Sequence, residues 1–474
     1  MELSKKGNRV TVLGAGPSGL MAAWELQKAG FSVTVLEADK QVGGLAATHT
    51  FEAKGGTYRF DFGGHRFITH NPELLAFIEE LMEDDLLHSM RSSVIRYRDR
   101  TYDYPLALSN ILKNAPWPLL TGTARDLLFV LPFTKPVEDR ESASFADWIK
   151  SRFGPTLYQH FFEGYTAKLW GIDPADLSAD WAAQRISLLD LKDVARRLLP
   201  SGGNTPRTYA RSYRYPKLGF GAIFDRLKER LVANGAQVLL NAPVTGVHCE
   251  KGSIKSVFFK QQGEIQEIET DYVISTLPMP LMMKFLGVES KLQFRALRFL
   301  NMPMDMENVS THTWQYLSDP DILATRLQEP RRRSPYMSPE GKTSIMLEIP
   351  CWKGDELWTM NDRQLFDRAK RDMNRLGVNM NKATGECFSS YAEFAYPLMN
   401  KGYQRERNQN ADVLNQYSNL IMCGRQGTFR YIFTDTAMEM GQLAARSLID
   451  QQDYRNKIFE FRNEKTVIET QSVA

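Results

Sequence analysis

VTVLGAGPSGLMAAWELQKAGFSVTVLEADKQVGG, residues 10–44, decides how this chain folds. A β-branched run, Val10 to Leu13, precedes Gly14, Gly16 and Gly19 in the spacing G-x-G-x-x-G. An apolar helical pattern follows, with Leu20, Ala23 and Leu26 on one face, and a second strand pattern, Ser32 to Leu36, ends at Glu37. Each part has a mechanical reason. Gly14 makes the tight turn, Gly16 lets a pyrophosphate reach the backbone, and Gly19 lets helix and strand pack closely. The helix N-terminus offers unpaired N–H groups and a positive dipole end to the phosphates. Glu37 falls where an acid takes the ribose hydroxyls, which favours an unphosphorylated ribose. Strand, glycines, helix, strand and acid in this order imply a dinucleotide site.

Gly43-Gly44 follows Glu37 in an E-x(5)-G-G pairing. That pairing resembles the flavoprotein clan of amine oxidases, protoporphyrinogen oxidases and UDP-galactopyranose mutases, and implies FAD rather than NAD. Further along, Gly164-Tyr165-Thr166-Ala167-Lys168-Leu169-Trp170-Gly171 resembles the G-Y-T-x-K-x-W-G stretch of the mutases. Five more landmarks keep the same order. Gly63-Gly64-His65 resembles the loop that faces the flavin, and Tyr97 to Arg100 with Tyr104-Pro105 resembles a hairpin of that family. Arg185-Ile186 resembles the start of its R-I-P segment, and Phe294-Arg295-Ala296-Leu297 resembles the stretch whose arginine lies at the active site. Gly424-Arg425 with Arg430-Tyr431 resembles the C-terminal G-R-x(4)-R-Y.

The chain also departs from that pattern. Where the mutases carry a tyrosine in Y-T-R, this sequence reads Ala324-Thr325-Arg326, leaving Tyr316 as the nearest stand-in. The second arginine of R-I-P-x-R falls at Leu189, and the acid after Arg430-Tyr431 comes at Asp435 rather than at Phe433. The substrate need not be UDP-galactose.

The resemblance implies covalent catalysis in which reduced flavin is the nucleophile toward a nucleotide sugar, giving pyranose/furanose interconversion without net redox change. Such a site needs cations on the leaving diphosphate, close backbone approach to the flavin, and a proton carrier. Arg295 and Arg425 are the expected clamp, with Arg326 as a third cation, and His65 is the expected proton carrier near neutral pH. Gly14, Gly16, Gly19, Glu37, Gly43, Gly44, Gly63, Gly64, Val244, Gly424 and Asp435 are expected on the cofactor. Asp435 is also the expected N-cap of a helix from about Thr436 to Leu448. Tyr165, Trp170, Arg185, Arg326 and Tyr431 are expected on substrate, although bare aromatics in a helical region more often belong to a core. Asp61 and Glu348 are lesser candidates. Arg331-Arg332-Arg333 reads as a solvated turn. The alternative function is a net oxidoreductase of the amine oxidase or protoporphyrinogen oxidase type.

The fold class follows as α/β, a discontinuous Rossmann-type domain interrupted by two insertions. Residues 1–87, 211–280 and 401–474 make the FAD-binding domain with its tail. Residues 88–210 carry a hairpin and an inserted helical domain, and 281–400 a mixed-sheet substrate domain. At 474 residues with net charge +3 the chain is too long for one core and does not suggest a nucleic-acid binder. Cys249, Cys351, Cys387 and Cys423 are scattered, so neither a metal site nor a disulfide framework is expected. MELSKKGNR holds no apolar signal core, and the longest apolar run elsewhere, Leu127 to Phe133, is far too short to span a bilayer. That run reads as a buried helix, with an interfacial patch as the alternative. The expectation is a cytoplasmic enzyme with a small-molecule substrate and, on base rates, a homodimer.

Overall fold

A computed structural model describes residues 7–104, 110, 113–137, 142–186 and 212–461, with backbone alone for 183–186 and 212. Five parallel strands form the first sheet, in the order Leu420–Met422, Tyr272–Ser275, Arg9–Leu13, Ser32–Leu36, Gln237–Leu239. Val10, Val12, Val33, Val35 and Ile274 are all buried, as expected of a sheet covered on both faces. Helix Pro17–Lys28 covers one face through Leu20, Ala22, Ala23 and Leu26. A Cβ at Gly19 would lie 2.0 Å from the Gly14 carbonyl oxygen, so only a bare Cα lets this helix sit so low. The long helix Thr434–Ile449 packs alongside it, and Ala444, Ala445 and Leu448 join the same core.

Strands Val244–Glu250, Ser253–Gln261 and Glu264–Glu269 form an antiparallel meander, with turns at Gly252-Ser253 and Gln262-Gly263. The second large sheet has seven strands, in the order Phe388–Pro397, Phe294–Met304, Thr343–Cys351, Arg326–Gln328, Trp314–Leu317, Ser93–Tyr97, Arg100–Asp103. The predicted hairpin turning near Arg98 supplies its last two strands. Helix Asp362–Arg375 closes one side through Leu365, Phe366, Ala369 and Met373. Helices Trp117–Arg125, Phe145–Leu157, Gly164–Trp170 and Ala179–Ile186 make up the described helical insertion.

Several expectations are corrected. Between Gly44 and Asp61, where no strand pattern stands out in the sequence, the chain forms a hairpin, Thr48–Ala53 against Gly56–Asp61. Leu86–Met90 pairs with Ser212–Pro216, a contact across the insertion that local patterning cannot show. The N-cap of helix Thr434–Ile449 is Phe433, without a side-chain cap, and Asp435 sits buried in the first turn. Within the polar C-terminal tail, Arg455–Glu460 is a helix with Ile458 fully buried, pinned where Arg430 donates to the carbonyls of Phe459 and Phe461. Leu127 to Phe133 is not a buried helix, because Leu128, Phe129 and Phe133 face solvent. Leu189 lies outside the described residues, as does the side chain of Arg185, whose backbone ends helix Ala179–Ile186. Among the described residues, no helix is long and apolar enough to cross a membrane and no His/Cys/Asp/Glu group could hold a metal ion.

Candidate active site where two clefts meet

Two clefts adjoin along the C-terminal edge of the parallel sheet. The first runs past Gly14, Gly16, Glu37, Gly44, Val244 and Gly424. Gly14 has φ +99° and a Cβ there would strike Thr276, which explains the first glycine of the motif. A Cβ at Gly16 would meet nothing within 4 Å, so this backbone borders open space. The N-caps of Pro17–Lys28 and Thr434–Ile449, Gly16 and Phe433, make no side-chain cap hydrogen bond, and both line this cleft. Both helices therefore turn the positive ends of their dipoles toward this cleft. Glu37 ends its strand with one carboxylate oxygen accepting from Ala15 N–H at 2.7 Å and the other from Asp39 N–H at 2.9 Å. Burial pushes the Glu37 carboxyl up, and those two backbone donors oppose the push. A long cleft with bare Cα atoms, two helix mouths and a ribose-seeking acid fits FAD.

The second cleft opens between this sheet and the seven-stranded one. It shares Leu45, His65, Arg425, Phe433 and Thr434 with the first. Three arginines line it, Arg66, Arg326 and Arg425, against one carboxylate, Glu348. Tyr316, Tyr396 and Tyr431 face it as well. Arg326 pairs with Glu348 at 3.2 Å and donates to the Tyr396 hydroxyl at 3.0 Å. Burial would pull the Arg326 guanidinium down, but Glu348 together with Tyr396, Tyr165 and Tyr316 more than offsets this and holds it well above its ordinary value. Burial likewise pushes Glu348 up, against the pull of Arg326 and Arg333. Gln328 donates to Glu348 and accepts from Arg333, which closes a chain of buried polar groups behind Gly63-Gly64. Arg425 lies 4.6 Å above the Tyr431 ring and donates to the carbonyls of Ala395 and Ile432.

His65 stands at the junction. Its Nε2–H donates to the Phe62 carbonyl at 2.7 Å, and its ring stacks on Phe220. Because a carbonyl only accepts, this bond puts the proton on Nε2 and leaves Nδ1 as an acceptor. Burial drives the imidazole down to about 4; Asp61 opposes and Arg425 reinforces the shift. The expected proton carrier near neutral pH is thus a neutral ring.

Other predicted residues line neither cleft. Trp170 is fully buried, edge-on to Trp181 at 4.9 Å, and presents no free face to a ligand. Arg295, the other half of the predicted clamp, is 5% exposed and lines neither cleft. Its Nε donates to the Leu169 carbonyl, and its guanidinium lies 4.5 Å over Trp352, in space left by the missing side chain of Gly171. Gly19 and Gly43 shape the first cleft from behind, and Asp435 is buried beside it. Tyr165 sits edge-on to Tyr316, its hydroxyl pushed up to about 12 by burial. Asp61 is a structural acceptor for Thr48, Tyr215 and the Phe220 N–H. Arg333 is 2% exposed, so the run Arg331 to Arg333 is not a solvated turn. Sequence reading missed Arg66, which directly follows the Gly63-Gly64-His65 landmark, and Gln328 and Tyr396, which come from strands without motif signatures. Tyr316 stands across from Arg326 in the sheet register, where the missing tyrosine would need a stand-in.

Comparison with known proteins agrees with this architecture. The model of the flavin-containing amine oxidoreductase family matches residues 17–449. A probable UDP-galactopyranose mutase of Klebsiella pneumoniae is 21% identical over 432 residues, 90% of this chain and 91% of its own. A coproporphyrinogen III oxidase of Propionibacterium freudenreichii subsp. freudenreichii is 25% identical over 297 residues, so this chain spans about half of that relative, 54%. The crystal structure of reduced UDP-galactopyranose mutase superposes with a TM-score of 0.79 at 20% identity, covering 97% of this chain and 99% of that one. The chain therefore belongs to the flavin-containing amine oxidoreductase family, and its cofactor is FAD.

Proposed function

We propose that the protein is a nucleotide-sugar isomerase of the pyranose/furanose mutase type. The observation that carries this reading is the charge of the second cleft, three guanidinium groups against one carboxylate. A cleft of that sign attracts an anion and disfavours a cationic amine. Arg425 and Arg66 would hold a diphosphate, with Arg326 and its partner Glu348 beside them. Tyr316, Tyr396 and Tyr431 would orient the sugar and exclude water from it. His65 would accept a hydrogen bond at Nδ1 rather than carry a proton. Reduced FAD, when bound, supplies the nucleophilic chemistry that this reaction class needs. The near full-length likeness to a probable mutase supports the same reading. We assign the parallel sheet to the cofactor and the seven-stranded sheet to the substrate, with the C-terminal segment returning to the cofactor.

A second reading rests on the same charge. A polycarboxylate such as a porphyrinogen also suits a cationic cleft, and oxidation of it would make the protein an oxidoreductase, in line with the partial likeness to a coproporphyrinogen oxidase. The readings separate when dithionite-reduced and oxidised holoenzyme are each incubated with UDP-, GDP- and dTDP-hexoses and the products resolved chromatographically. A furanose product formed by the reduced enzyme alone is expected. No product from any sugar, together with coproporphyrinogen oxidation by the oxidised enzyme, would overturn the isomerase reading.

A further inference from the structure

Arg333 is a buried guanidinium behind the second cleft that the reaction proposed above does not use. Its backbone is pinned at both ends. The Arg333 N–H donates to the Pro330 carbonyl at 2.9 Å, and its own carbonyl accepts from the Ser89 hydroxyl at 2.6 Å. Its Nη2 donates to Gln328, which donates in turn to Glu348. Its Nε and Nη1 are buried with no hydrogen-bond partner among the described residues. A half-satisfied buried cation costs stability, and an apolar side chain of similar length would fill the space without that cost. The acids around it are each held by other donors. Glu348 pairs with Arg326 at 3.2 Å, and Asp61 accepts from Thr48, Tyr215 and the Phe220 N–H. Glu329 accepts from Thr343 and from the N–H groups of Val309 and Ser310, with Arg332 at 3.7 Å.

The place of this charge matters because of where the cofactor ring must go. Glu37 and the glycine turn take the ribose and pyrophosphate of FAD in the first cleft. The other end of so long a molecule must run toward the residues both clefts share, among them Leu45, His65, Arg425 and Phe433. Gly63 and Gly64 line the second cleft beside His65. One layer of backbone separates them from the buried polar chain: a Cβ on Gly63 would lie 3.2 Å from Glu348 Oε1, and one on Gly64 3.6 Å from Arg333 Nη2. The field of Arg333 reaches this junction. Burial is the main reason the His65 imidazole is held down, and Arg425 and Arg333 add to it. Arg425 and Arg66 face the cleft, where water and substrate screen them, whereas Arg333 is shut away from both. At mildly alkaline pH, reduction of the flavin adds two electrons and one proton, so the ring gains one negative charge. A fixed cation close by in a low-dielectric site favours that form. We propose that Arg333 raises the reduction potential of the bound FAD, with Glu348 as the opposing charge. This role belongs to the FAD site and is the same for an isomerase or an oxidoreductase.

The test is anaerobic titration of full-length holoenzyme with dithionite against a reference dye, without substrate, at mildly alkaline pH to favour the ionised carboxylate of Glu348. R333Q is expected to shift the ratio of oxidised to reduced flavin about tenfold toward oxidised at a fixed poise, a potential lower by about 30 mV. R333K is expected to stay closer to the wild type than R333Q, and E348Q to shift the ratio the opposite way. The R333Q shift should persist at high salt, because the charge it removes is not screened by solvent. A folded, flavin-loaded R333Q with the wild-type ratio would overturn the proposal. So would R333Q and E348Q moving the ratio in the same direction, which marks lost packing rather than lost charge. If R333Q does not retain flavin, E348Q decides alone: a raised potential supports the role of this charge chain, and an unchanged or lowered one overturns it.

Discussion

At the residue scale, two glycines of one motif separate binding from folding. Gly16 has φ −75°, which alanine adopts freely, and its Cβ direction is open. Gly16→Ala should leave the apoprotein's thermal midpoint unchanged and weaken FAD binding about tenfold or more, roughly 1.4 kcal/mol, read by flavin fluorescence titration. Gly19→Ala should do the reverse, costing about 1–3 kcal/mol of stability because the added carbon meets the Gly14 carbonyl. His65 gives a pH prediction. Its folded value near 4 lies below the ordinary 6.5, so between those values the unfolded chain takes up a proton that the folded one refuses. Stability from this source is complete above 6.5 and is lost as pH falls toward 4. His65→Gln should therefore show a smaller drop in thermal midpoint from pH 6.5 to 4.5 than the wild type. Some drop should remain, because burial also holds His160 down to about 4.

At the element scale, the motif that carried the family resemblance serves the fold more than the ligand. Lys168 reaches four backbone carbonyls, of Leu317, Asp319, Ile322 and Ala324, at 2.7 to 3.1 Å. Burial pulls its ammonium down to about 8, and Asp319 opposes that pull. It shapes the loop that ends at Thr325-Arg326 and so fixes a cation of the second cleft. Lys168→Met leaves those carbonyls unsatisfied and should cost about 2 kcal/mol or more, seen as a lower urea midpoint with unchanged slope. Trp170 likewise fills core. A sequence pattern shows that such residues matter without showing which way they face.

At the scale of the whole molecule, the parts legible in the sequence are those whose signals are local. The βαβ unit, the hairpin near Arg98 and the meander after Val244 each announce themselves by turns and periodicity. The seven-stranded sheet does not. Thr343–Cys351 is buried throughout and Phe294–Met304 nearly so, which removes the alternation by which strands are read. The direction of Arg295, expected in the clamp, was not legible for a related reason: it depends on a break in strand register between Arg295 and Leu297 and on the bare Cα of Gly171, both set by distant packing. The return of the C-terminal segment is also a long-range event. A Cβ at Gly441 would lie 2.2 Å from the Ser18 carbonyl oxygen, so helix Thr434–Ile449 docks on the glycine-motif helix only through a missing side chain. Gly441→Val should open the first cleft at its Gly424–Thr434 wall, measured as loss of bound flavin from the purified protein at moderate urea.

The central claim is that this cationic cleft works on an anionic sugar diphosphate without net electron transfer. Its most direct test is the flavin absorbance of holoenzyme held under anaerobiosis during turnover. With active nucleotide sugar, the reduced enzyme should convert substrate while its flavin stays reduced, and the oxidised enzyme should show no bleaching. Bleaching of the oxidised flavin by a nucleotide sugar, a porphyrinogen or an amine would contradict the claim.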